Sequence, residues 1–352
     1  MPLSLNDIFP NADKGLSDIG FFFGAGTSKE AGYFLTNELT RRVVANLIET
    51  HKSRIQSILD KEGISHDIKN GIPDIEIISD AIAKHRLTLS DKDIITIEDQ
   101  IQHLIVNEIV SVDNPNLEYH VLFLKALKSL FAQRPDRIWI FTTNYDLLFE
   151  QAAMKARINL INGFQGALYR YFDEGVFNLD YGTIINNRFE IYKGPRVILV
   201  KLHGSISWCK DDGEIVETSD KDIHGKYPHS LILPRKHKIL DTLEHPFDKM
   251  FRYASNIIGK HCKYIACCGH SLRDEHINDY LFIPKLRDRA IKMTALFEEL
   301  PENIEIFKDF PSFQYCTKAT IAKDGIQQPE NNEYWKFSEF VNLIARKAGK
   351  GV

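Results

Sequence analysis

The chain has 352 residues, 43% hydrophobic and 26% charged, the balance of an ordinary globular protein long enough for two domains or one elaborated domain. Its formal net charge is -4, so no overall basic field draws it to nucleic acid or an anionic membrane, and direct nucleic-acid binding is not expected. The apolar runs are too short to span a bilayer, and the N-terminal residues lack the basic-then-apolar order of a secretion signal, so a cytoplasmic location is expected.

In chain order, five short apolar runs stand out: Ile19 to Phe23, Ile138 to Phe141, Val197 to Leu202, Tyr264 to Cys268 and Ile291 to Phe297. Nearly continuous apolar character suits parallel strands buried on both faces, and helical patterns follow at least three of them. The expected fold is α/β, a Rossmann-like open parallel sheet with right-handed crossovers. Residues 37–133 break the alternation. Helical spacing at Leu39, Val43, Val44 and Leu47, and again at Ile97, Ile101, Leu104 and Ile105, predicts a large helical insertion with a loop near Gly71-Ile72-Pro73. Residues from about 163 to 196 read as a hairpin-rich excursion, and Trp335 to Lys347 as an amphipathic helix. The expected organisation is a catalytic core of residues 1–36 and 134–325, the insertion 37–133, and a C-terminal helical segment 326–352. The five cysteines (Cys209, Cys262, Cys267, Cys268, Cys316) form no C-x-x-C pair. That argues against a disulfide framework and a zinc ribbon, and for buried reduced thiols.

Four polar clusters close four of the strands. The first run leads into Gly24-Ala25-Gly26-Thr27-Ser28, where two glycines allow backbone N–H groups to approach a phosphate. Thr27 with Glu30 matches a capping box, which predicts a helix whose N-terminus faces the anion. The second run ends in Thr143-Asn144-Tyr145-Asp146, where Asn144 or Asp146 could equally just cap the next helix. The third ends in His203-Gly204-Ser205; a histidine there could be a satisfied core residue. The fourth ends in Gly269-His270-Ser271. All four fall at the carboxyl edge of a parallel sheet, where open α/β folds bind ligands. No acidic residue stands out at the ribose-clamping distance of a hydride-transfer enzyme, and there is no G-x-x-x-x-G-K-[ST] phosphate loop.

Those four motifs, in that order, resemble the sirtuin superfamily over about residues 18–300. The forms Thr142-Thr143-Asn144-Tyr145-Asp146 and Gly269 to Asp279 look most like bacterial sirtuin-like NAD hydrolases of antiphage defence. The resemblance implies NAD as substrate, no metal, and catalytic roles for Asn144 and His203. It also implies a latent toxic enzyme of abortive infection, a homo-oligomer or one controlled by a partner translocase ATPase or another defence protein. The chain departs from the protein deacylases, which carry two zinc-binding cysteine pairs. They also have an acid and an arginine where this chain reads Gly32-Tyr33-Phe34-Leu35-Thr36-Asn37. The remaining alternatives are a deacylase or ADP-ribosyltransferase, and a non-catalytic NAD or ADP-ribose sensor.

The expected mechanism is cleavage of the nicotinamide–ribose bond through an oxocarbenium-like ribose. The backbone of Gly24, Ala25 and Gly26, with Thr27 and Ser28, is assigned the pyrophosphate. Asn144 orients water, Asp146 holds the ribose or nicotinamide side, and His203 is the general base. Thr143, Gly204 and Ser205 complete the site, and Gly269 and Ser271 contact the adenosine side. His270 and His276 are expected to cap or hydrogen-bond locally. His224, His229 and His237 are expected to be solvated, and Arg235, Lys236 and Lys238 to form a solvent-facing basic cluster.

Overall fold

All five apolar runs are strands in the computed structural model, which describes residues 5–8, 18–88, 92–132, 136–218, 228–235 and 241–349. They are β1 (Ile19–Phe23), β2 (Arg137–Thr142), β8 (Arg196–Lys201), β12 (Tyr264–Cys268) and β13 (Lys292–Leu296). With β3 (Asn159–Ile161), β14 (Phe313–Cys316), β15 (Thr320–Lys323) and β16 (Ile326–Pro329) they form a nine-stranded sheet in the order β16-β15-β14-β13-β12-β1-β2-β8-β3. The pairs from β14 to β3 are parallel, while β15 and β16 extend the edge as an antiparallel meander. Every residue of β1 and β8 is buried, because helices cover both faces of a parallel sheet.

One face is closed by α7 (Glu118–Leu130), α8 (Leu148–Ala156) and the C-terminal helix Phe337–Lys347. Phe123 of α7 meets Phe21 edge-on at 5.0 Å, and Phe340 reaches Phe21 at 6.5 Å. The helix Phe247–Ile257 packs on the opposite face. Four helices before α7 make a separate apolar cluster: α3 (Thr36–Asn46), α4 (Glu49–Lys61), α5 (Ile75–Thr88) and α6 (Lys92–Val110). Val43, Ile55, Ile78 and Ile97 lie at its centre. Between α4 and α5 the chain turns at Gly71, as its composition predicts.

The excursion after β3 contains hairpins, β4 (Phe164–Gly166) with β5 (Arg170–Phe172) and β6 (Gly182–Ile185) with β7 (Arg188–Ile191). A second, five-stranded antiparallel sheet, β11-β9-β10-β5-β4, adds β9 (Gly204–Asp211), β10 (Glu214–Glu217) and β11 (His229–Leu231). Trp208 is wholly buried beneath it against Phe164, 5.0 Å away. This sheet alters two expectations. His229 is buried in β11 rather than solvated, and Arg235 is partly buried and paired with Glu98 of α6 at 3.0 Å rather than part of a solvent face. His224, His237, Lys236 and Lys238 lie outside the described residues. The five cysteines are free and buried; burial pushes the Cys209 thiol up to about 11 and Cys316 to about 12.

Candidate active site

The turns after β1 and β12 are pressed together. Gly26 N–H donates to Gly269 O at 2.8 Å. A Cβ on Gly26 would lie 2.7 Å from Gly269 Cα, and one on Gly24 would lie 2.6 Å from Gly269 O. Gly269 itself has φ 68°, a left-handed conformation that favours glycine. These glycines are thus required by the contact between two turns. The N–H groups of Gly24, Thr27 and Ser28 are also used internally, donating to the carbonyls of Cys268, Gly24 and Ala25. On the backbone expected to cradle a phosphate, those hydrogens have protein acceptors. The capping box is corrected. The helix α2 (Gly26–Lys29) is one turn long, Thr27 Oγ1 donates to Gly24 O at 2.9 Å, and the Glu30 carboxylate accepts from Ser338 N–H at the start of the C-terminal helix.

Asn144 sits just past β2 and is 9% exposed. Its Nδ2 faces Gly24 O at 3.0 Å, Ser28 Oγ at 3.0 Å and Thr27 Oγ1 at 3.3 Å. That anchoring turns the amide nitrogen into the protein and leaves Oδ1 as the group able to accept a hydrogen from a bound molecule. Ser28 in turn donates to Asp146 Oδ2 at 2.7 Å, while Asp146 Oδ1 accepts Leu148 N–H at the start of α8. Asp146 is a cap and a brace for Ser28, so its carboxylate is already engaged on both oxygens.

Lys201, 1% exposed at the end of β8, braces the same turn from below. Its ammonium donates to the Asp146 carbonyl, to Glu150 Oε1 at 3.0 Å and to Ser205 Oγ at 2.9 Å. Burial pushes the Glu150 carboxyl up, and the Lys201 charge opposes that shift. Ser205 is fully buried and bonded to Lys201 and Ser207, and a Cβ on Gly204 would lie 2.4 Å from Ser230 O. Gly204 and Ser205, expected to contact a bound cofactor, are buried positions of β9 packed beneath the site.

His203, 2% exposed, ends the turn after β8, and its Nε2 lies 2.9 Å from Nε2 of His276. One ring must donate and the other accept, so at least one is neutral. His270 accepts Leu272 N–H on Nδ1 at 3.1 Å, which places its hydrogen on Nε2, 3.1 Å from Asp274 Oδ2. His270 thus bonds locally as expected, whereas His276 reaches across to the catalytic candidate.

A cavity of about 130 Å³ joins these groups. Ala25, Ser28, Thr143, Asn144, Asp146 and His203 line it from the strand ends; Tyr33, Leu39 and Ile75 roof it from the chain between β1 and β2. Burial, then Asp146 and Glu150, hold the Tyr33 phenol protonated well above its ordinary range. The cavity adjoins a cleft of about 1010 Å³, sharing Ala25, Thr36, Glu76, Thr143 and Asp274 with it. Gly26, Gly269 and Ser271 line the cleft. Gly24, Thr27, Gly204 and Ser205 line neither space. Sequence reasoning missed Lys201, His276, Asp274 and Tyr33 as site residues; of these only Lys201, closing a run of apolar residues, carries a local signal.

An open parallel sheet with polar residues converging at its carboxyl edge defines a ligand-binding α/β protein. Residues 139–296 match the family model described as a SIR2-like domain. The match runs from β2 to β13 and leaves out the turn after β1 and the helices α3 to α6. No curated protein matches the sequence. Among solved structures, the chain is similar to a Sir2 variant with deacetylated p53 peptide and 3′-O-acetyl ADP ribose. The identity is 13% and the TM-score 0.44, over 94% of this chain and 93% of that one.

Proposed function

We propose that the chain is an NAD glycohydrolase that releases nicotinamide and ADP-ribose, and that it acts as a toxic NAD-depleting effector of antiphage defence. The SIR2-like region supports NAD as the substrate. One observation carries the reaction: Asn144 and His203, which follow neighbouring parallel strands, line one cavity. In the reaction the ribose C1′–nitrogen bond breaks and its electron pair leaves with neutral nicotinamide. Water then forms the new C1′–oxygen bond and gives its proton to His203. Asn144 Oδ1 orients that water, held by the three contacts to Nδ2. The nicotinamide riboside end takes the cavity, and the adenosine diphosphate end takes the adjoining cleft past Ala25 and Thr143. The helical roof gates entry, and self-association or a partner such as a translocase ATPase acts through it to keep the activity latent.

The test is incubation of the purified full chain with NAD, without peptide, while free nicotinamide is followed. Turnover should fall by about 10²–10⁴ in His203→Ala, and at least as far in Asn144→Ala. Equal rates for the parent and both variants overturn the reading. The cleft favours a second acceptor class. Acidic residues, Glu30, Glu38, Glu76, Asp274, Glu298, Glu299 and Glu302, outnumber the basic Lys29, Arg41, Arg273 and Lys336 along it, which suits a cationic peptide. Nicotinamide release that requires a lysine- or arginine-rich peptide would favour transfer over hydrolysis.

A further inference from the structure

We infer that His203, His276 and Asp274 form a binding site for a divalent transition-metal ion of zinc-like chemistry, and that its occupancy shuts off the cleavage proposed above. One ligand atom from each of the three lies within 4.8 Å of the others. No other such group of three His, Cys, Asp or Glu residues occurs among the described residues. Two imidazoles and a carboxylate are a donor set that zinc accepts, with a fourth position left to water.

The spacing is close to what an ion requires. Two nitrogens bound at about 2.0–2.1 Å to a tetrahedral zinc lie about 3.3 Å apart. The Nε2 atoms of His203 and His276 are 2.9 Å apart, so a few tenths of an ångström of opening admits the ion in place of the shared hydrogen. Asp274 is oriented by its contact with Nε2 of His270, the outer-shell support that metal ligands commonly have. Access is open: the two histidines are buried, but Asp274 faces both the cavity and the large cleft.

The inhibitory half follows from the electron pair. A metal on Nε2 of His203 occupies the imidazole that the cleavage reading uses as base, and it fills the wall of the cavity. That half rests on the cleavage reading; the binding half does not.

The experiment takes the full chain, stripped by a chelator and dialysed, and titrates it with Zn²⁺ by calorimetry and with Co²⁺ by visible absorption, both without NAD. The expected result is one ion per chain and the intense visible bands of low-coordinate cobalt. Affinity should fall at least about 100-fold in Asp274→Asn and in His276→Asn. Asp274→Asn, a change of the same shape at a position 13% exposed, guards against misfolding as the cause. Nicotinamide release by the parent should then stop at saturating Zn²⁺ and return with EDTA. Absence of binding, or binding that survives both substitutions, overturns the site and leaves the cleavage reading standing. Binding with full turnover at saturating Zn²⁺ overturns the inhibition. Binding by a chain that never releases nicotinamide overturns the cleavage reading and the inhibition together, and supports the site.

Discussion

Ser28 donates its hydroxyl hydrogen to Asp146 Oδ2 at 2.7 Å and lies 3.0 Å from Asn144 Nδ2, so one hydroxyl ties the turn after β1 to the turn after β2. Ser28→Ala removes the acceptor of one hydrogen bond and the donor of another, both buried. We expect a stability loss of about 1–3 kcal/mol. Because Asn144 then loses one of its three restraints, nicotinamide release should also fall by about tenfold or more with little change in NAD affinity. Urea unfolding and a split of kcat from Kd check this; a loss of affinity at constant kcat would place Ser28 on the ligand instead.

Lys201 supports the same turn through the Asp146 carbonyl and the Glu150 carboxylate. Lys201→Met leaves Glu150 in a site where burial already pushes its carboxyl up. Breaking a buried pair from one side costs about 3–5 kcal/mol. The double variant Lys201→Met, Glu150→Gln should recover part of that loss, since no uncompensated charge remains. Equilibrium denaturation of the two single variants and the double one reads the coupling; equal stability of Lys201→Met and the parent would show the pair to be energetically silent.

Much of this frame was legible in the sequence because its signals are local. The five parallel strands announced themselves as continuous apolar runs, and the polar residues after them fell at the ligand edge. The helices α3 to α6 declared their period through residues such as Val43 and Ile97. What stayed hidden depends on contacts between distant segments. Gly24 and Gly26 carry the local pattern of phosphate-turn glycines, and their packing against Gly269 is a contact that no local pattern shows. Glu30 read as a capping-box acid, yet its partner is Ser338, at the far end of the chain. The antiparallel sheet of β9, β10 and β11 carries little local signal because β9 follows β8 after a two-residue turn with no helix between, and β10 and β11 are only four and three residues long. His276 lies 73 positions from His203, and no local pattern pairs them.

The crossing of the glycine turns is itself testable. Gly269 has φ 68°, and a Cβ there would lie 2.5 Å from Thr27 N. Gly269→Ala combines left-handed strain with overpacking against backbone, together about 2–5 kcal/mol. Unfolding should shift accordingly, and activity should fall with it because the turn after β1 carries Ser28. By contrast Gly63→Ala, with φ 64° and open space around its Cβ position, meets only the conformational term. It should cost about 1–2 kcal/mol. Similar losses at both positions would mean that the crossing of the turns adds no constraint.

His120 makes stability depend on pH. It sits on α7 between Phe149 and Phe337, with ring centroids 4.9 Å and 4.6 Å away, and its Nε2 is buried without a hydrogen-bond partner. Burial lowers its pKa from 6.5 to about 3, so the folded protein keeps the ring neutral. Between those values the unfolded chain binds a proton that the folded chain refuses, so stability rises with pH across that window and is lost as pH falls from about 6.5 toward 3. The slope is about 1.4 kcal/mol per pH unit, or about 2 kcal/mol between neutral pH and about pH 5. His120→Phe, a ring of similar size in an aromatic cluster, should remove this contribution and stay close to the parent at neutral pH. Urea unfolding of both proteins at about pH 7.5 and about pH 5 checks it. The difference between them should open at the acid end, and parallel pH dependences would show that His120 is protonated in the folded chain.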